Sequence, residues 1–112
     1  MPFEATFKAL ADATRRQILE LLRAGPRSAG DIAARFGLSA ATVSHHLAVL
    51  RDAGLIIDER RGKYIYYQLD TSVVEDLMAW AAGLLANRQD DAPARAGQAA
   101  QEGAKRNETE QP

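Results

Sequence analysis

Apolar side chains recur along this chain at two spacings, and the change from one to the other divides it. Phe3, Phe7 and Leu10 lie three or four residues apart and predict a helix over Phe3–Leu10. Asp12 can then cap a second helix, Ala13–Ala24, with Ile18, Leu21 and Leu22 on its core side, before Gly25 and Pro26 stop it. Ser28, with Asp31 three residues on, resembles a capping box for a short third helix carrying Ile32, Ala33 and Phe36 and ending at Gly37. Ser39 caps a fourth, whose buried stripe is Val43, Leu47 and Leu50 and whose stop is Gly54. The period then falls to two. LIIDERR and YIYYQL flank Gly62-Lys63 and predict a β-hairpin, with Ile65, Tyr67 and Leu69 on one face and Tyr64, Tyr66 and Gln68 on the other. Asp70 or Thr71 caps a last helix, Ser72–Ala86, apolar over most of its circumference through Val73, Val74, Leu77, Met78, Trp80, Ala81, Leu84 and Leu85.

Helix, helix, glycine turn, helix and hairpin, in that order, make a winged helix-turn-helix: mainly α, about five helices with a two-stranded β wing. Beyond Ala86 the pattern stops. Residues 87–112 contain no Leu, Ile, Val or aromatic side chain, so they read as a disordered polar tail behind one domain over residues 1–86. With 112 residues there is room for one core, and 46% apolar residues suffice to fill it. Nothing approaches a membrane span, and MPFEATFKAL lacks the features of a signal peptide, so a cytoplasmic protein without membrane partners is expected.

The chain has no cysteine, which excludes disulfides, thiolate metal sites and thiol redox chemistry. Net charge is −1, and the ten Lys/Arg before Asn87 are matched by ten Asp/Glu. Any affinity for nucleic acid must therefore come from local clustering.

Two clusters qualify. At 100° per residue from Ser39, Val43, Leu47 and Leu50 of the fourth helix point near 45°. Ala41, His45 and Ala48 then point outward, near 200°, with Ser44 on their flank near 140° and His46 much closer to the core. Ser39, Ala41, Thr42, Ser44 and His45 make a slender, polar, uncharged face, able to enter a major groove and hydrogen-bond base edges. A solvated helix face would look similar. The hairpin adds weight: Arg60, Arg61 and Lys63 surround Gly62 at its tip, as phosphate or minor-groove contact requires, although Asp58 and Glu59 dilute the field.

The stretches DATRRQILELL, SAGDIAARFGLSAATVSHHLAVLRDAGLI and RRGKYIYYQL resemble the ArsR family of bacterial repressors. With SVVEDLMAWAAGLL at the last helix, the chain is most similar to the metal-independent, SdpR-like autorepressor branch. The resemblance implies a homodimer that binds double-stranded DNA at an inverted-repeat operator and represses transcription. It also implies a dimer interface from the first and last helices, here Phe3, Phe7, Leu77, Trp80 and Leu84.

Metal sensing is the family alternative, and the residues argue against it. Gly30–Phe36 has no thiol, and the last helix offers Glu75 and Asp76, which diverge by about 100°, but no histidine. His45 and His46 are adjacent and cannot converge on one ion. We expect no metal and no cofactor. For His46, packing or hydrogen bonding at the helix flank is the expected role. Arg15 and Arg16 open the second helix against the preference of its dipole, so a carboxylate partner is expected, Asp12 or Glu20 among them. Two other readings stay open: a winged-helix module that binds protein through its apolar last helix, and a ligand-responsive family member answering to a protein or small-molecule effector. No Gly-rich phosphate loop, activated nucleophile or carboxylate pair suggests an enzyme.

Overall fold

The computed structural model describes residues 3–91, with side-chain environments for residues 3–86. Five helices and three strands follow in the order α1 (Glu4–Leu10), α2 (Ala13–Leu22), β1 (Arg27–Ser28), α3 (Ala29–Phe36), α4 (Ala40–Asp52), β2 (Ile56–Arg61), β3 (Tyr64–Leu69) and α5 (Ser72–Asp91). The architecture is the expected winged helix-turn-helix with one addition. The wing hairpin is joined by β1, which pairs antiparallel with β3 and makes β3 the central strand. A strand of two residues has no periodicity to detect, so only the pairing of Arg27 with Tyr67 and Ser28 with Tyr66 reveals it.

Helices α2 to α5 each start where a short polar side chain can accept from the first turn, whereas α1 follows Phe3 and has no side-chain cap. The Asp12 carboxylate accepts from the Arg15 amide at 3.0 Å, the Ser28 hydroxyl from the Asp31 amide at 3.1 Å, and the Ser39 hydroxyl from the Thr42 amide at 3.1 Å. At α5 both candidates take part: Asp70 accepts from the Ser72 amide at 3.0 Å, while the Thr71 hydroxyl donates to Glu75 at 3.0 Å. Helix α3 ends on Gly37 at φ 64°, a left-handed cap that glycine adopts without strain.

The core lies in the first of two compact units, which divide after Asp76. Ala9, Ile18, Leu22, Ile32, Val43, Leu47, Leu50, Leu55 and Ile56 form one buried cluster, edged by Tyr67, Leu69 and Val73. Each large aliphatic member contributes roughly 1.5–3 kcal/mol by leaving water. Three expectations need correction. Helix α1 buries Thr6 and Ala9, with Phe3 buried at its N-cap, whereas Phe7 is 41% exposed. Helix α2 stops at Leu22, two residues short of Ala24. Helix α5 runs on to Asp91, five residues into the segment read as tail. The remainder of that segment lies outside the described residues.

Candidate nucleic-acid interface

Helix α4 separates its two faces by burial. Val43, Leu47 and Leu50 are buried, whereas Ala41, Thr42, Ser44 and His45 are all exposed. Ala41 and His45 thus lie outward as expected from angle, while Ala48, expected with them, is half-buried. At the leading end, Ser39 is committed to the fold: its hydroxyl accepts from the Thr42 amide and donates to the Thr42 hydroxyl at 2.9 Å. That leaves the Thr42 hydroxyl hydrogen, the Ser44 hydroxyl and the His45 ring as the polar groups this face can offer a ligand.

The wing is a tight hairpin. Arg61 pairs with Tyr64 across a two-residue loop, Gly62 at φ 62° followed by Lys63, the sign pattern of a type II′ turn. Directly opposed residues share a face, so Asp58 and Arg60 lie with Tyr67 and Ile65, while Glu59 and Arg61 lie with Tyr66 and Tyr64. The three cations therefore differ. Arg61 is engaged on the wing itself, 3.1 Å from Glu59 and with its guanidinium carbon 5.3 Å from the centroid of the Tyr66 ring. Among the described residues, Arg60 and Lys63 have no ion-pair partner. On the Asp58 face, Arg51 from the last turn of α4 reaches that carboxylate at 3.4 Å and ties α4 to the wing base.

The arginines that open α2 correct another expectation. Their side chains turn to the end of α1 rather than to a carboxylate. Arg15 donates through Nε to the Ala9 carbonyl at 2.9 Å and through Nη2 to the Lys8 carbonyl at 3.0 Å; Arg16 donates to the Leu10 carbonyl at 2.7 Å. These carbonyls form the partly negative C-terminal end of a helix, where that of Lys8 also accepts from the Ala11 amide at 3.3 Å. Sequence reasoning looked for a charge and missed a dipole. His46 behaves as expected, half-buried with Nδ1 3.3 Å from Arg15 Nη1.

Of the five residues assigned to a dimer interface, Phe3 is instead buried within its own chain. Phe7 and Trp80 are about two-fifths exposed, Leu84 is 54% exposed and Leu77 is half-buried. Met78 at 66% and Leu85 at 60% join them as exposed apolar residues of α5. Among the described residues, no three His, Asp or Glu side chains gather where they could hold a metal ion. Among the described residues, no helix is long and apolar enough to cross a membrane.

Comparison with known proteins agrees with this geometry. Residues 12–58 match the bacterial regulatory proteins of the arsR family. The transcriptional repressor SdpR of Bacillus subtilis is 45% identical over 85 residues, which span 76% of this chain and 94% of SdpR. The arsenical resistance operon repressor of Escherichia coli K12 is 38% identical over 80 residues, covering 70% of this chain and 65% of that one. Among solved structures, an ArsR-like transcriptional regulator from Rhodococcus sp. RHA1 superposes with a TM-score of 0.73 at 27% identity, over 90% of this chain and 92% of its own. A homodimeric winged helix-turn-helix DNA-binding domain from Mycobacterium bovis gives 0.62 at 31% identity, over 80% and 83%. The chain belongs to the ArsR family of bacterial transcriptional regulators, DNA-binding winged helix-turn-helix proteins rather than enzymes.

Proposed function

We propose that this regulator is a homodimeric repressor that reads an inverted-repeat operator with α4 and grips the backbone with its wing. The observation that carries the reading is the contrast across α4: an uncharged, exposed edge of Ala41, Ser44 and His45 opposite a wholly buried Val43, Leu47 and Leu50. Small side chains let the helix approach the major-groove floor, and the hydroxyl and imidazole supply donors and acceptors for base edges. Ser39 holds the first turn in shape, which aims the Thr42 hydroxyl and the open amides of the helix N-terminus at a phosphate. Arg60 and Lys63, unpaired among the described residues, supply the main wing charge, with Arg61 behind them.

Self-association follows the apolar residues exposed on α1 and α5, and the homodimeric M. bovis domain supports it. Repression is supported by the likeness to SdpR, a transcriptional repressor, and independence from metal by the missing thiols. A gel shift with DNA from upstream of the chain's own coding region, against random duplex, tests the reading. Preferential binding upstream establishes operator and autoregulation together. A dimer that binds neither duplex would show that the fold serves as a protein-interaction module.

A further inference from the structure

One guanidinium in this molecule touches three elements at once. Arg15 is half-buried; its amide begins α2 on Asp12, two of its side-chain nitrogens close the last carbonyls of α1, and the third reaches α4 at His46. Arginine has donors only, so Nη1 at 3.3 Å from His46 Nδ1 makes a hydrogen bond only if that nitrogen presents its lone pair. The contact is therefore a hydrogen bond in the tautomer that carries its proton on Nε2. His46 follows His45 directly and lies two residues beyond Ser44, so a shift of its ring relative to α1 shifts the reading edge with it. The contact bears on how α4 sits against α1, because α1 packs on α4 as well as on α2.

We propose that Arg15 and His46 form a clamp that seats the reading helix against the end of α1, positioning Ser44 and His45 for DNA without touching it. The proposal rests on α4 being the reading helix. Arg15 serves as the rigid member, since its planar fork spends two arms on backbone carbonyls and has one fixed direction left for the third. A lysine ammonium, with three donors on a flexible stem and no planar fork, would not hold the angle. His46 is the replaceable member: what the clamp needs from it is an acceptor attached to Cγ, which the Asn carbonyl oxygen also provides.

The test uses the full chain and the tightest duplex it selects in vitro, with random duplex for comparison. His46→Phe and Arg15→Met are each expected to weaken binding to the selected duplex by roughly tenfold, the value of one lost hydrogen bond to a charged donor, with dimerisation unchanged. The double variant should lose no more than the worse single one, because both remove the same contact. His46→Asn should recover most of the loss, a rescue that generic destabilisation does not predict. Should Arg15→Met fail to fold, the pair His46→Phe and His46→Asn decides alone. Wild-type affinity in His46→Phe, while Ser44→Ala and His45→Ala lose theirs, overturns the clamp and leaves the reading helix standing. Equal losses in His46→Phe and His46→Asn also overturn it. If none of these variants changes DNA binding, the assignment of α4 fails, and the clamp with it.

Discussion

Ser39 and Ser44 stand five residues apart with different duties. Because the Ser39 hydroxyl is spent on Thr42, its loss should act on the helix: Ser39→Ala is expected to cost about 1 kcal/mol of stability and to weaken binding to all duplexes alike. Ser44 and His45 are exposed, and each alanine variant should instead lose about 1–3 kcal/mol on the operator and relax preference at one position per half-site, as competition binding against single-base variants would show. Asp12 and Asp70 differ again. Hydrogen bonds from the Arg15 and Ser72 amides hold their carboxylates below the ordinary value of 3.8. A depressed folded pKa gives stability that is present above the unfolded value and lost as pH falls through the folded one. Acid unfolding should therefore steepen below about pH 4, and Asp12→Asn and Asp70→Asn should each flatten that limb in a urea titration across pH. Glycines divide by what surrounds them. Gly54 and Gly62 both have positive φ, yet a Cβ at Gly54 would lie 2.9 Å from Val73 Cγ2, while none of the atoms around Gly62 comes within 4 Å. Gly62→Ala should cost roughly 1–2 kcal/mol for its backbone alone, and Gly54→Ala clearly more.

At the level of elements, what was legible in the sequence is what repeats. Val43, Leu47 and Leu50 recur at helical spacing within a helix of thirteen residues, so α4 and the exposed side of its first turns could be read from angle alone. The pairing of Arg27 with Tyr67 could not, since it depends on two distant segments meeting and leaves no pattern in either. The targets of Arg15 and Arg16 were hidden for a related reason: backbone carbonyls carry no residue signature, so a search by side-chain charge passes over them. The wing shows the same limit in a form that matters for function. Arg60, Arg61 and Lys63 look alike in sequence, yet register sends Arg60 and Arg61 to opposite faces and gives Arg61 both Glu59 and Tyr66. Exposed pairs of this kind are worth at most about 1 kcal/mol, but they must be broken before the cation can serve a phosphate. Arg60→Ala and Lys63→Ala should each lower the salt slope of binding by about one, and Arg61→Ala by less, measured on random duplex between low and moderate salt. An equal drop for all three would show that the Glu59 contact yields freely to DNA.

The whole molecule has a charge problem that its dimer would solve. With ten cations matched by ten anions before Asn87, one copy brings no net positive charge to DNA, and weak affinity for a single half-site is the expected result. Two copies joined symmetrically would present α4 and the wing twice, and on an inverted repeat the second half-site would bind at the effective concentration set by the first. The apolar residues exposed on α5 are suited to that joining: Met78, Leu84 and Leu85 are each more than half exposed, whereas Glu75 and Asp76 keep the first turns of the helix polar on another side. Phe3, though assigned to the same contact by family likeness, lies in the protomer's own core, so Phe3→Ala should lower the melting temperature before it touches association. Leu84→Glu separates the two effects. Leu84 is 54% exposed, so a carboxylate there leaves the folded chain largely undisturbed but places a charge in an apolar seam when two copies meet. Sedimentation at roughly tens of micromolar should then shift from dimer to monomer. Binding to a full inverted repeat should fall toward the affinity measured on an isolated half-site, while that half-site affinity stays at the wild-type value. A Leu84→Glu chain that still sediments as a dimer with undiminished operator binding would move the interface away from this part of α5.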